Sequence, residues 1–163
     1  MAYKKLIFIF IFLTITSCYH PSFSSFFDIK KTIEIGNFSE KINLPRRSVA
    51  FDFKRYIEDY IMKRNPSNLV FKDGDAVLEG IFLNYTITSM KNCPFKKIQI
   101  TAKIYYRDNF EPEKNWEECF VISEDFSHKK DLFLEKPIDR IIEKLTVQVY
   151  HKIFNENNIR IEK

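Results

Sequence analysis

A metal site or a general base would draw on histidine, and the chain has three: His20, His128 and His151. None stands at a spacing that builds a metal site, and no serine or cysteine sits in a nucleophile-elbow setting. Asp73-Gly74-Asp75 has the look of an opening calcium loop, but the later ligands that an EF-hand requires are missing, so a tight turn is expected there. Glu117 and Glu118 are neighbours on a strand and must point to opposite faces, so they cannot act as a carboxylate pair on one substrate. With glycine only at positions 36, 74 and 80 there is no phosphate loop. Nothing here supports an enzyme, and no cofactor or metal is expected.

The remaining chemistry belongs to cysteine. Lys4 and Lys5 precede an apolar run at positions 6–13, followed by Thr14-Ile15-Thr16-Ser17-Cys18. A charged start, a short apolar stretch and small residues at the cut are the layout of a secretory signal. The apolar stretch is too short for a spanning helix, which needs about twenty residues. Ile15-Thr16-Ser17-Cys18 resembles a bacterial lipobox, in which the cysteine thiol forms the thioether to diacylglycerol. Cleavage before Cys18 is therefore expected, giving a signal at 1–17, a lipidated tether at 18–31 and one domain at 32–163. Acyl chains contribute about 0.8 kcal/mol per buried methylene, and more than one chain is needed for lasting attachment. Tyr19 is not the aspartate associated with inner-membrane retention, so the expected address is the outer membrane, lipid-anchored and facing the periplasm.

Such an address permits disulfides, which makes Cys93 and Cys119 a candidate pair. Their spacing matches no zinc pattern. If Tyr106 lies opposite Trp116 in a hairpin, Cys119 lies opposite Lys103, ten residues from Cys93. At about 3.3 Å per residue that is roughly 30 Å, against a limit of about 7 Å for a disulfide. The two cysteines are expected not to bridge, with Cys119 partly exposed.

One surface carries a chemical suggestion. Lys97, Lys103 and Arg107 share the wet side of a strand with Thr101 and Tyr105. This is either a solvated strand face or a contact surface for anionic lipid or for a partner's polar interior, since these cations bind phosphate by charge and hydrogen bonds.

The elements that would position these residues follow from periodicity. Removing seventeen of the 163 residues leaves 146, enough for a real core. The net charge of +4 falls to about +2 without Lys4 and Lys5, too small and too interspersed to argue for nucleic acid. Seventeen Phe and eight Tyr with three Gly describe an aromatic-rich core. Positions 32–38 alternate as a strand with Ile33 and Ile35 on one face. Ser48 is placed to cap a helix whose stripe is Val49, Phe53, Tyr56, Ile57, Tyr60 and Ile61, ending before Asn65-Pro66. A short strand at 69–71 and a turn at 72–75 lead into a long strand at 77–90, with Val77, Ile81, Leu83, Tyr85 and Ile87 on one side. After a loop at 91–94, Ile98, Ile100, Ala102, Ile104 and Tyr106 face one way, and Trp116, Phe120 and Ile122 return as the other arm of a hairpin. A last helix, opened by Pro137, carries Ile138, Ile141, Ile142, Leu145, Val149 and Ile153. The class expected is α+β, two amphipathic helices on one face of a mainly antiparallel, roughly four-stranded sheet.

Taken in order, several segments are similar to a known family. They are Cys18-Tyr19 with Ser22-Phe23-Ser24, and Lys31-Thr32-Ile33-Glu34-Ile35-Gly36-Asn37-Phe38. Next come Asp73-Gly74-Asp75-Ala76-Val77-Leu78-Glu79-Gly80 and Tyr85-Thr86-Ile87-Thr88. The most specific is Pro112-Glu113-Lys114-Asn115-Trp116-Glu117-Glu118 with Phe120 and Asp125-Phe126-Ser127. The ordered set resembles the lipopolysaccharide-assembly lipoprotein LptE in its Bacteroidetes form. The loop at 91–94 is short for that family, and Phe, Ile or Lys often stand where it has small residues. The resemblance implies an outer-membrane lipoprotein that assembles with and plugs the β-barrel LptD while lipopolysaccharide passes outward, with Cys18 as the lipidated residue. A periplasmic lipid carrier or transport-accessory lipoprotein is the alternative, and it would need an apolar hollow of several hundred Å3.

Overall fold

The computed structural model describes residues 31–44, 47–89, 95–127 and 134–155. Cys18, Cys93, His20, His128 and the loop at 91–94 lie outside them, as do residues 1–30. The elements in order are β1 (Ile33–Glu40), α1 (Val49–Arg64), β2 (Leu69–Val70), β3 (Ala76–Ser89), β4 (Phe95–Asp108), β5 (Trp116–Ser127) and α2 (Glu135–Asn155). Single 3-10 turns stand at Pro66–Asn68 and Pro112–Lys114.

Helix α1 begins as its sequence requires. The Ser48 hydroxyl accepts a hydrogen bond from the Phe51 N–H at 3.2 Å, satisfying one of the donors that a helix start leaves free. A second, the Ala50 N–H, donates to the Glu40 carboxylate at 3.0 Å, which ties the helix to the end of β1. Val49, Phe53, Ile57 and Ile61 recur every fourth residue and are fully buried. Asn65 closes the last turn by donating its N–H to the Ile61 carbonyl, and Pro66 cannot continue the helix. Along α2, Ile138, Ile141, Ile142, Leu145, Val149 and Ile153 form the matching stripe.

The sheet has five strands in the order β2-β1-β3-β4-β5, one more than expected, and it is mixed, its long β3–β4 and β4–β5 ladders antiparallel and its β1 pairings parallel. Strand β1 runs parallel to both β2 and β3, with Ile33 opposite Leu69 on one side and Ala76 on the other. The reason is the helix: α1 carries the chain back along the sheet, so the next strand must start from the same end as β1. The chain then crosses beneath β1 at 71–75 and starts β3 from that end too. At this crossing Asp73 adopts φ 58°, and a side chain at Gly74 would meet the Glu34 backbone nitrogen at 2.7 Å. Strands β3, β4 and β5 are antiparallel neighbours, with Tyr106 opposite Trp116 and Lys103 opposite Cys119 as the alternation predicts.

Strand β3 differs from its expected facing. Ala76, Leu78, Gly80 and Phe82 point to the core, while Val77, Ile81 and Leu83 are half-buried on the other side. Pairing with β4 decides this, because Leu78, Gly80 and Phe82 lie opposite Tyr106, Ile104 and Ala102. A glycine on the dry side hides the period. Gly80 is there because Phe38 and Ile104 fill its place, and a Cβ would sit 2.8 and 2.9 Å from their ring and methyl carbons. A register shift between Phe82 and Asn84 then brings Tyr85 and Ile87 opposite Ile100 and Ile98, on the side first expected for them.

Both helices cover one face of the sheet, α1 over β1 and α2 over β5, and they touch each other. Between them Phe38, Phe53 and Phe82 meet edge-to-face at 5.1 and 5.8 Å, filling the space between helix and sheet. Beyond Ile122, Glu124 interrupts the apolar pattern of β5, which obscures the strand's true length. The carboxylate faces α2 and pairs with Arg140 at 2.6 Å and with Lys144.

Candidate functional surface

Among the described residues, no helix covers the second face of the β3–β4–β5 sheet, and the three basic candidates stand on it. Lys103 projects from the middle of β4. Its ammonium pairs with Glu117 of β5 and lies 5.3 Å over the ring of Tyr105. The hydrogen bond to Glu117 raises its pKa. Arg107, four residues on, donates to the Glu79 carboxylate of β3 at 3.0 Å. Lys97, at the other end of the strand, lies in register between Thr88 and Asp125.

The three cations therefore share one line as their spacing predicts, but the line is not a bare basic stripe. Each has an acid on a flanking strand: Glu117 and Glu79 in contact, Asp125 opposite in the ladder. Glu79 and Glu117 were not among the sequence candidates. The signal for Glu117 was present, since pairing Trp116 with Tyr106 puts it opposite Tyr105 and diagonal to Lys103. Glu79 carries no such signal, because Gly80 on the core side hides the period of β3.

Beside these pairs the surface dips into a shallow, open depression of about 510 Å3, lined by Glu79, Tyr105, Tyr106, Arg107, Asn115, Trp116 and Glu117. The Tyr106 and Trp116 rings stack at 5.6 Å with 9° between their planes. Burial, together with the nearby Glu111 and Asp75 charges, pushes the Tyr106 hydroxyl up to about 12. Lys152 of α2 stands 5.0 Å over the Trp116 ring and pairs with Glu118 at 2.5 Å. Glu117 and Glu118 thus serve opposite faces, as strand alternation requires.

A second polar group closes the end of the sheet where the chain enters. The Asp108 side chain is fully buried and pairs with Lys31. One of its oxygens also accepts the N–H groups of Phe110 and Glu111 at 3.0 and 2.9 Å. Asp75 accepts from the Thr32 N–H and hydroxyl, both at 2.8 Å, and these bonds hold its pKa below the usual carboxylate value. The turn at 73–75 is committed to β1 rather than to a cation. Lys31, assigned to the tether by its sequence context, belongs instead to the fold. His151 packs its ring edgewise against Tyr150 at 5.8 Å. Among the described residues no group of three or more His, Cys, Asp or Glu could hold a metal ion, and no helix is long and apolar enough to cross a membrane.

No family model and no curated protein matches the chain. Solved structures do. A hypothetical protein from Chlamydia trachomatis superimposes with a TM-score of 0.50 at 8% identity, over 74% of this chain and 99% of that one. The fold is shared. A candidate lipoprotein from Caulobacter crescentus gives a TM-score of 0.49 at 8% identity, over 80% of this chain and 92% of its own. Rare lipoprotein B from Shewanella oneidensis gives 0.41 at 8% identity, over 77% and 97%.

Proposed function

We propose that the protein is a non-enzymatic lipoprotein of the outer membrane, anchored through Cys18 and facing the periplasm, which assembles with and plugs an LptD-type β-barrel during lipopolysaccharide transport. The reading rests on the lipobox and on the ordered resemblance to LptE. The structural observation that carries it is the filled core. Phe53, Ile57, Ile61, Leu78, Phe82, Ile104 and Ile141 are at or near zero exposure between helices and sheet. A lipid carrier needs an enclosed apolar hollow for acyl chains, whereas the depression beside Arg107, walled largely by the Tyr105, Tyr106 and Trp116 rings, is shallow and open to solvent. A plug needs the opposite arrangement, a solid body whose outer surface is polar. The open sheet face supplies that surface, with its cations matched to acids and free to exchange those partners for a polar barrel wall or for phosphate groups of lipopolysaccharide.

The test is a pull-down of the full chain from detergent-solubilised outer membranes, with Cys18→Ala alongside. Recovery of a large β-barrel with the wild type is the expected result. The Cys18→Ala chain should remain unprocessed or leave the membrane fraction. A wild-type chain that brings down no barrel would sink the plug reading. A variant still cut to mature size and still in outer membranes would sink the anchor.

A further inference from the structure

The end of the sheet where Lys31 enters carries two phenylalanines out in solvent. Phe71 is 94% exposed and Phe110 is 74% exposed. A single exposed ring is ordinary on a protein surface. These two stand on adjacent loops whose backbones are pinned together. Asn109 donates its backbone N–H to the Asp75 carbonyl at 2.9 Å and its side-chain amide to the Gly74 carbonyl at 2.8 Å. The Phe110 N–H is itself held by the buried Asp108 carboxylate. The fold therefore presents both rings from a braced platform.

That platform stands beside Lys31, the first described residue after Cys18. Lys31 is bonded to Asp108 and Glu111 of the same end. Cys18 lies thirteen positions before Lys31 in the sequence. At no more than about 3.5 Å per residue the lipidated cysteine is within roughly 45 Å of the tip. We propose that Phe71 and Phe110 insert into the surface of the phospholipid bilayer beside the barrel, so that the chain-entry end of the plug meets the periplasmic leaflet. The inference rests on the lipid-anchor reading of Cys18. Exposed Lys72 and Asp73 beside Phe71 cancel in charge, so ring burial supplies the contact and salt should affect it little. The opposite end of the sheet serves as the internal control: Phe51, in the first turn of α1, is 66% exposed, and Phe95, at the start of β4, is 47% exposed.

The experiment places photoreactive p-benzoyl-phenylalanine at position 71, 110, 51 or 95 of the full chain, in membranes of a bacterium that lipidates it. Membranes are irradiated and the labelled peptides weighed by mass spectrometry. Phospholipid adducts at 71 and 110, several-fold above those at 51 and 95 and unchanged in high salt, are expected. Adducts at 71 and 110 with a protein, equal yields at all four positions, or no adduct at the tip would overturn the proposal. Fractionation before irradiation reads the anchor separately. If the chain is soluble, the anchor reading has failed. The same irradiation with vesicles of phosphatidylethanolamine and phosphatidylglycerol then decides the tip by the same criteria.

Discussion

Lys31 and Asp108, 77 residues apart in sequence, form an ion pair at the end of the sheet where the chain enters the fold. The carboxylate has no solvent exposure, while the lysine keeps 24% of its side-chain surface. The same carboxylate receives two N–H groups of the 109–111 turn, and the Asp108 N–H donates to the Asn115 side chain at 2.6 Å. One buried side chain thus fixes the chain entry and the β4–β5 connection together.

Replacing it should be costly. Asp108→Ala leaves Lys31 without its buried partner and two N–H groups without an acceptor, and we expect a loss of about 3 kcal/mol. Urea unfolding measures it. A change below about 1 kcal/mol would mean that water replaces the carboxylate and the turn does not depend on it.

The open face gives a binding prediction. Lys97→Glu with Lys103→Glu should leave the circular dichroism spectrum unchanged and lower the melting temperature by only a few degrees, because both residues lie on the open face and lose only cross-strand charge pairing. The reversal sets Glu against Glu117 and Asp125 and should weaken binding to lipopolysaccharide or to the barrel. Equal binding by variant and wild type, measured on the same preparation, leaves these lysines as solvated strand residues.

Cys93 and Cys119 should remain unbridged. Phe95 pairs with Ser127, eight residues along β5 from Cys119, which is about 26 Å. Two residues of chain reach at most about 7 Å, so Cys93 stays roughly 19 Å or more from Cys119, and a disulfide requires less than about 7 Å. Non-reducing peptide mapping tests this. A linked 93–119 peptide in high yield contradicts the β4–β5 register.

Alkali should unfold the protein through Tyr106. Its hydroxyl has an ordinary value of 10.0 and is raised to about 12 in the fold, chiefly by burial. A raised folded pKa contributes stability that is complete below pH 10 and lost as pH climbs toward 12. Ultraviolet titration should show two tyrosines ionising late, because burial also raises Tyr150, with Tyr106 ionising together with unfolding. Tyr106→Phe should leave one late tyrosine and move alkaline unfolding to higher pH; a variant that unfolds at the wild-type pH contradicts the assignment.

Much of the fold was legible in the chain itself. Two helical stripes, a serine cap and the alternation of Ile98, Ile100, Ala102, Ile104 and Tyr106 are local patterns, because each is set by the repeat of a single element meeting a single dry surface. The hairpin register followed from them, and with it the place of Cys119 opposite Lys103. The basic line of Lys97, Lys103 and Arg107 was equally local.

What tertiary structure alone decided involves neighbours distant in sequence. The parallel pairing of β1 with β2 and β3 depends on α1 turning the chain around, which no strand pattern encodes. The facing of β3 turns on Gly80, whose missing side chain makes room for Phe38 and Ile104 and so reads as a gap in an apolar period. The acids that complete the open face, Glu79 and Glu117, reach their cations only across strands. Lys31 and Asp108 meet only when β1, β3 and β4 are assembled side by side, because a buried charge is tolerable where its partner is brought to it and nowhere else.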